Sequence, residues 1–284
     1  MVRDPFGVPI AVFLSVQLMA ADLAPDSGSA SDGGRAAPAA VSDLEGPPPA
    51  VIDWQELTLR ATGSGPPDFT AVTAAQARAA AEKSAQASAV RSLERGLKSV
   101  KLTRTQKLGD LIEQPEIGDK VRQLIGKYRI TAKRYFSDHG LELDVELPLP
   151  PIADLVLPAG SPPPRAGGAA PNKSSGLIVD ARGLDVTPAL APKLLDEQGK
   201  EVYGIVFLSA EARRSVGVAA YSKVMADAKK SNRIGERPLT VKALKAAGSD
   251  LTLGSAAVRA IEESIPTYLT DGRVVIVLGP APKR

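Results

Sequence analysis

Four carboxylates fall close together in the second half of this chain: Asp180, Asp185, Asp196 and Glu197. Such a group can line a site for a hard cation, because Ca2+ and Mg2+ take carboxylate and carbonyl oxygens. Their settings separate them. Asp196 and Glu197 belong to Asp196-Glu197-Gln198-Gly199-Lys200, which reads as a hairpin turn. Asp180 lies near the end of the apolar run Gly176–Ala181, two residues before Arg182 and three before Gly183. A charge at a strand end beside an opposite charge forms an ion pair that fixes the following loop. Asp180, Arg182 and Gly183 are therefore the candidate binding residues, and the loop Arg182 to Thr187 is the place where a ligand such as a glycan or a metal would bind.

Little else in the chain can do chemistry. The single His, His139, falls in a hairpin loop, and a general base needs an orienting partner and a pocket. There is no Cys, so disulfides, thiol nucleophiles and thiolate metal sites are excluded. One His without Cys also removes the usual zinc sites. No HExxH, CxxC, GxSxG or SxxK pattern occurs. Gly63-Ser64-Gly65 precedes a helical pattern but lacks the Lys-Ser/Thr end of a phosphate loop, and Pro66 and Pro67 have no N–H to offer. It reads as a strand terminator. These residues predict a non-enzyme with no catalytic residue, no metal and no cofactor.

Composition bounds the partners. Net charge is +3 and cations and anions balance within each half, which argues against nucleic-acid binding. Apolar residues make up 44% and aromatics 4%, so the core is built from Ala, Leu, Val and Ile. Arg3 precedes the apolar run Phe6 to Ala21, which is too short to span a bilayer and ends in small residues, as a secretory signal does. Residues 1–21 are read as that signal, leaving no transmembrane segment in the mature chain, and 22–50 as a disordered Ala/Gly/Pro-rich leader. A second such tract, 159–175, is a linker between domains at 51–158 and 176–280, with a tail at 281–284. The linker makes independent motion of the domains the default expectation.

The elements that must position these residues follow from periodicity. In the first domain, a strand from Trp54 to Ala61 is followed by a long helix. Ala74, Ala77, Ala81, Ala85, Ala89, Leu93, Leu97 and Val100 form its inward stripe, and its Ala face lets the helix lie close to its neighbour. Pro115 opens a second helix with Ile117, Val121, Leu124 and Ile125 on one face. Tyr128–Phe136 and Leu141–Leu147 alternate as a hairpin around the four-residue loop Ser137–Gly140. That loop pairs Phe136 with Leu141, Ala132 with Val145, Ile130 with Leu147 and Lys133 with Asp144, leaving Arg134 against Leu143 as the misfit. In the second domain the expected order starts with a buried strand Gly176–Ala181 and a hairpin of Ala189–Leu195 with Glu201–Phe207. A helix capped by Ser209 and running to about Lys230 follows, then a strand Leu239–Lys245, a short helix capped by Ser255 with Val258, Ile261 and Ile265 inward, and a strand Arg273–Leu278. Both domains read as α+β, the second a mixed sheet with two helices.

Two stretches resemble known families. Asp53-Trp54, the Ala-rich helix and the Tyr128–Val145 hairpin together resemble the LPP-type outer-membrane lipoprotein family and the N-terminal domains of flagellar assembly proteins of the P and T types. Gly176-Leu177-Ile178-Val179-Asp180-Ala181-Arg182-Gly183-Leu184, with Pro188 to Pro192 and the Asp196–Gly204 hairpin, looks like the recurrent second domain of such envelope proteins. The resemblance implies a periplasmic or outer-membrane-associated structural or assembly protein, in a flagellar setting, that packs against envelope proteins or copies of itself. The lipoproteins carry a Cys for lipid attachment and this chain has none. An exported chain of this kind is expected to be soluble in the periplasm or held by protein contacts.

Overall fold

The computed structural model of the protein describes residues 49–157, 174–264 and 267–279. The signal at 1–21, the leader up to residue 48, the linker up to residue 173, Ile265 and the tail at 281–284 lie outside the described residues. The fold is α+β, with one antiparallel and one mixed sheet.

The first half contains β1 (Val51–Asp53), β2 (Thr58–Gly65), α1 (Ala74–Ser99), α2 (Leu108–Ile112), α3 (Pro115–Ile125), β3 (Arg129–Tyr135), β4 (Leu141–Pro148) and α4 (Pro150–Val156). Its strands form an antiparallel sheet in the order β1-β2-β4-β3. The Thr73 hydroxyl caps α1 by accepting from the Gln76 N–H. The stripe from Ala77 through Leu97 is buried as the spacing predicts, whereas Ala74 is exposed. This stripe lies on β2 at a separation that admits no side chain. A Cβ on Gly63 would stand 2.1 Å from the Ala85 carbonyl oxygen, and one on Gly65 1.9 Å from that of Ala81. The Gly63-Ser64-Gly65 run therefore does not terminate the strand. It is the last part of β2, where missing side chains let the helix press against the sheet.

In β4, Leu141, Leu143, Val145 and Leu147 point into the core and Glu142, Asp144 and Glu146 point away. The hairpin register differs by one residue from the one expected. Tyr135 faces Leu141, Arg134 faces Glu142 and Ala132 faces Asp144; after a bulge, Ile130 faces Val145. The loop explains the shift. The Phe136 N–H donates to the Gly140 carbonyl, the His139 N–H donates to the Phe136 carbonyl, and His139 takes a left-handed φ of 73°. Three residues, not four, make the turn. The shift removes the misfit, since Arg134 now pairs with Glu142 and Asp144, and Lys133 reaches Glu82 on α1.

The second half contains β5 (Gly176–Ala181), β6 (Leu194–Leu195), β7 (Glu201–Tyr203), α5 (Ala210–Ser215), β8 (Ala220–Ser222), α6 (Met225–Lys230), β9 (Pro238–Ala247), β10 (Asp250–Leu253), α7 (Ser255–Glu263) and β11 (Val274–Leu278). The sheet order is β7-β6-β10-β9-β5-β11-β8, and β9, β5, β11 and β8 run parallel. Strands β5 and β11 are apolar on both faces, as parallel strands covered on two sides must be. Leu177, Val179 and Ile276 enter the larger core, and Ile178, Val275 and Val277 the smaller one under α6. The single helix expected from Ser209 to Lys230 is two helices with a strand between them. Ser209 does cap the first, but Gly217 takes a φ of +77° and stops it, so Tyr221 lies on β8. The expected strand Ala189–Leu195 shrinks to Leu194–Leu195, and Ile205–Phe207 is a 3-10 turn. Ser255 is the first residue of α7, with Gly254 at the cap. The elements α2, α4 and β10 had no clear sequence signal.

The independent motion expected from the linker is not what the contacts give, because the described residues belong to one compact unit. The Tyr221 N–H donates to the Trp54 carbonyl at 3.0 Å, and the N–H groups of Leu190 and Ala191 donate to the carbonyls of Lys101 and Leu102 at 3.0 and 2.8 Å. Asp154 on α4 accepts from Arg213 at 2.9 Å and Arg214 at 3.1 Å on α5, with Arg213 only 10% exposed. Among the described residues no helix is long and apolar enough to cross a membrane.

Candidate functional site

The three predicted binding residues come together at the carboxyl end of β5. Arg182 grips Asp180 with two side-chain bonds, at 2.8 Å from Nε and 2.7 Å from Nη2, and adds its own backbone N–H at 3.1 Å. This bidentate bond holds the Asp180 carboxyl below its ordinary value and raises the Arg182 guanidinium. Lys242, directly across on β9, adds to the Asp180 effect. Gly183 takes a φ of +84° with open space where a Cβ would be. A Cβ on Gly279, after β11, would stand 2.9 Å from the Arg182 Cα, so the loop after β5 lies tight against the end of β11. The pair fixes the loop, as its spacing suggested.

Asp196 and Glu197 go elsewhere. Asp196 accepts from the N–H groups of Gln198 and Lys200 and so builds the β6–β7 turn. Glu197 accepts from the Ser255 N–H at the start of α7. Among the described residues no three His, Cys, Asp or Glu side chains are placed to hold a metal ion. His139 sits at the tip of the β3–β4 hairpin, far along the sequence from these residues.

A crevice opens at this end of the sheet. The ends of β8 and β11 and Pro188 form one wall, and β1 with Trp54 and Arg60 forms the other, around a cavity of about 560 Å3. Ligands of open parallel sheets bind outside the carboxyl ends of the strands, which is where this crevice lies. Trp54 stands edge-on to Tyr221, with ring centroids 5.6 Å apart. The Tyr221 hydroxyl donates to the Ala189 carbonyl at 2.9 Å and accepts from its N–H at 3.1 Å. Burial pushes this phenol up, away from any role as a base near neutrality. Asp53 is occupied by Arg60 at 3.1 Å and by the N–H groups of Gln55 and Glu56. Lys223 and Asp227 supply further charge, and Val51 and Val224 leave 66% and 50% of their surface exposed at the rim.

Residues 176–280 match the family of the second domain of Treponema pallidum Tp0624. No curated protein matches the chain. The matched stretch takes in the whole mixed sheet and the Asp180–Arg182 pair, so one wall of the crevice comes from it and the other from the antiparallel half.

Sequence reasoning passed over Trp54, Tyr221 and Arg233. Trp54 is the single Trp, beside an Asp, and that was the available signal. Tyr221 was hidden inside a mistaken helix. Arg233 lies beneath the turns that end α5 and precede β11, and donates to the carbonyls of Val216, Gly217 and Gly272 at 2.8, 2.6 and 2.8 Å. Burial pushes its guanidinium down to about 10. Its work is to tie these two turns together.

Proposed function

We propose that the chain is a non-enzymatic structural or assembly protein of the bacterial envelope, located in the periplasm or at the outer-membrane periphery and acting through contacts with envelope proteins or with copies of itself. One observation carries this reading. Among the described residues the carboxylates whose ionisation is shifted, Asp68, Asp144 and Asp180, are all held more firmly in the charged form by hydrogen bonds to neighbours, and none of the three is poised as a proton donor near neutrality. The ion pairs join strands and helices within the unit. The signal-like start and the resemblance to envelope families support the location and make flagellar structures the first place to look. Cell fractionation with an intact mass tests it. Recovery from the envelope, lacking roughly the first 20 residues, is the expected result. A cytosolic chain that starts at Met1 overturns the location.

A second reading, a ligand-binding envelope module, is favoured by the crevice between β1 and β8, where an aromatic wall meets charged groups at the carboxyl ends of parallel strands. It predicts a rise in thermal stability with cell-wall glycan fragments, following RT ln(1 + [L]/Kd). An unchanged melting curve at millimolar fragment removes it.

A further inference from the structure

One edge of the antiparallel sheet is β3, the last strand in the order β1-β2-β4-β3. Hydrogen-bonded and non-bonded pairs alternate along an antiparallel ladder. Because the Phe136 N–H bonds the Gly140 carbonyl, the next bonded pair is Arg134 with Glu142, and Lys133 and Tyr135 turn their N–H and C=O groups outward. Among the described residues no other strand takes them.

The face of the sheet turned away from α1 is striped by charge. Arg60 on β2, Glu146 on β4 and Arg129 on β3 stand in one cross-strand row, at 3.7 and 3.4 Å. Arg134 on β3 grips Glu142 at 3.2 Å and also Asp144. The order across the strands is cation, carboxylate, cation, and it stops at the open edge, with the Arg129 and Arg134 side chains 68% and 47% exposed. On the α1 side, Ile130 and Tyr135 are 39% and 57% exposed where the helix no longer covers the sheet.

We propose that β3 is a docking edge for one extended strand of a partner protein in which acidic and apolar side chains alternate. Its acids would continue the stripe beside Arg129 and Arg134, and its apolar side chains would lie beside Ile130 and Tyr135. Its main chain would satisfy the outward groups of Lys133 and Tyr135, as in strand addition generally. The pattern is the one β4 shows to the other side of β3, in Leu-Glu-Leu-Asp-Val-Glu-Leu-Pro. Charge selects against a second copy at this edge. The strand reads Arg-Ile-Thr-Ala-Lys-Arg-Tyr, so antiparallel pairing of two copies through the outward groups of Lys133 sets Lys133 against Lys133 or, one step along, Arg134 against Arg134. This deepens the assembly reading by naming the surface and the partner's chemistry, and it rests on that reading only for its setting.

The test is amide hydrogen exchange on the isotope-labelled full chain. The probe is the synthetic peptide of residues 141–148, compared with the same peptide carrying Lys in place of its three acids. At about ten times its Kd the acidic peptide should slow exchange at Lys133 and Tyr135 about tenfold, and the lysine peptide should leave it unchanged. Tyr135→Pro removes an outward N–H that makes no ladder bond, and should abolish the protection with the melting curve unchanged. Absence of protection at millimolar peptide overturns the proposal, as does equal protection by the lysine peptide. Protection that grows with protein concentration alone overturns it in favour of self-pairing. None of these outcomes depends on where the protein resides, so they are separate from the fractionation result.

Discussion

In the antiparallel sheet the carboxylates stand along the length of β4, on a face open to water, with Arg60, Arg129 and Arg134 beside them. In the mixed sheet β11 carries no charge and β5 none before Asp180. The first sheet buries one face, so its strands alternate and its charges can sit mid-strand. The second is covered on both faces at β5 and β11, so on those two strands charge is pushed to the ends, while β9 keeps Lys242 and Lys245 on its exposed face. Charge on β4 therefore marks an outer surface, and charge on β5 marks the strand's carboxyl end.

The contrast is broken most severely at Arg233, the cation that the mixed half does draw inward. Arg233→Met leaves the carbonyls of Val216, Gly217 and Gly272 without their donor, and should cost about 4 kcal/mol in urea unfolding. Arg134→Met, on the open ladder, should move the midpoint far less, and equal effects would erase the distinction. Next is Gly63→Ala, which drives a methyl into the Ala85 carbonyl and should cost about 3 kcal/mol. Gly183→Ala, strained in φ but facing open space, should cost about 1 kcal/mol. The junction comes third. The two halves should melt in a single transition, and Asp154→Asn, which weakens the grip of α4 on α5, should lower stability by about 2 kcal/mol. Two resolved transitions in the unaltered chain would show the halves to be uncoupled. The smallest effect is the pH dependence. Asp144 and Asp180 both have folded values below their unfolded ones, so their stabilisation is present above about pH 4 and is lost as pH falls through the lower folded values. Asp180→Asn should flatten the acid limb of the stability curve.

What the sequence disclosed follows the same division. The alternation of β4 and the Ala stripe of α1 are periodic, and each names its buried face correctly. The hairpin register was misread because loop length sets parity, and a left-handed His139 gives no compositional warning. Arg134 against Leu143 was the clue that the register was off by one. The helix expected through Val218 and Tyr221 failed because Gly217 stops the chain and β8 gains its stability from β11, a neighbour far along the chain. The Asp180–Arg182 pair was legible because its partners are two residues apart. The crevice was not, since Trp54, Pro188, Tyr221 and Leu278 meet only once both sheets have formed.

The backbone bonds from Leu190 and Ala191 to Lys101 and Leu102, with the α4–α5 grip, join the halves through residues outside the stretch between Leu157 and Ser174. Covalent continuity across that stretch adds effective concentration but none of these contacts. A protease cut there would leave a nicked protein that sediments as one particle. Residues 49–157 and 174–279, made as separate polypeptides, would reconstitute the unit by complementation, and two genes could encode what one chain holds here.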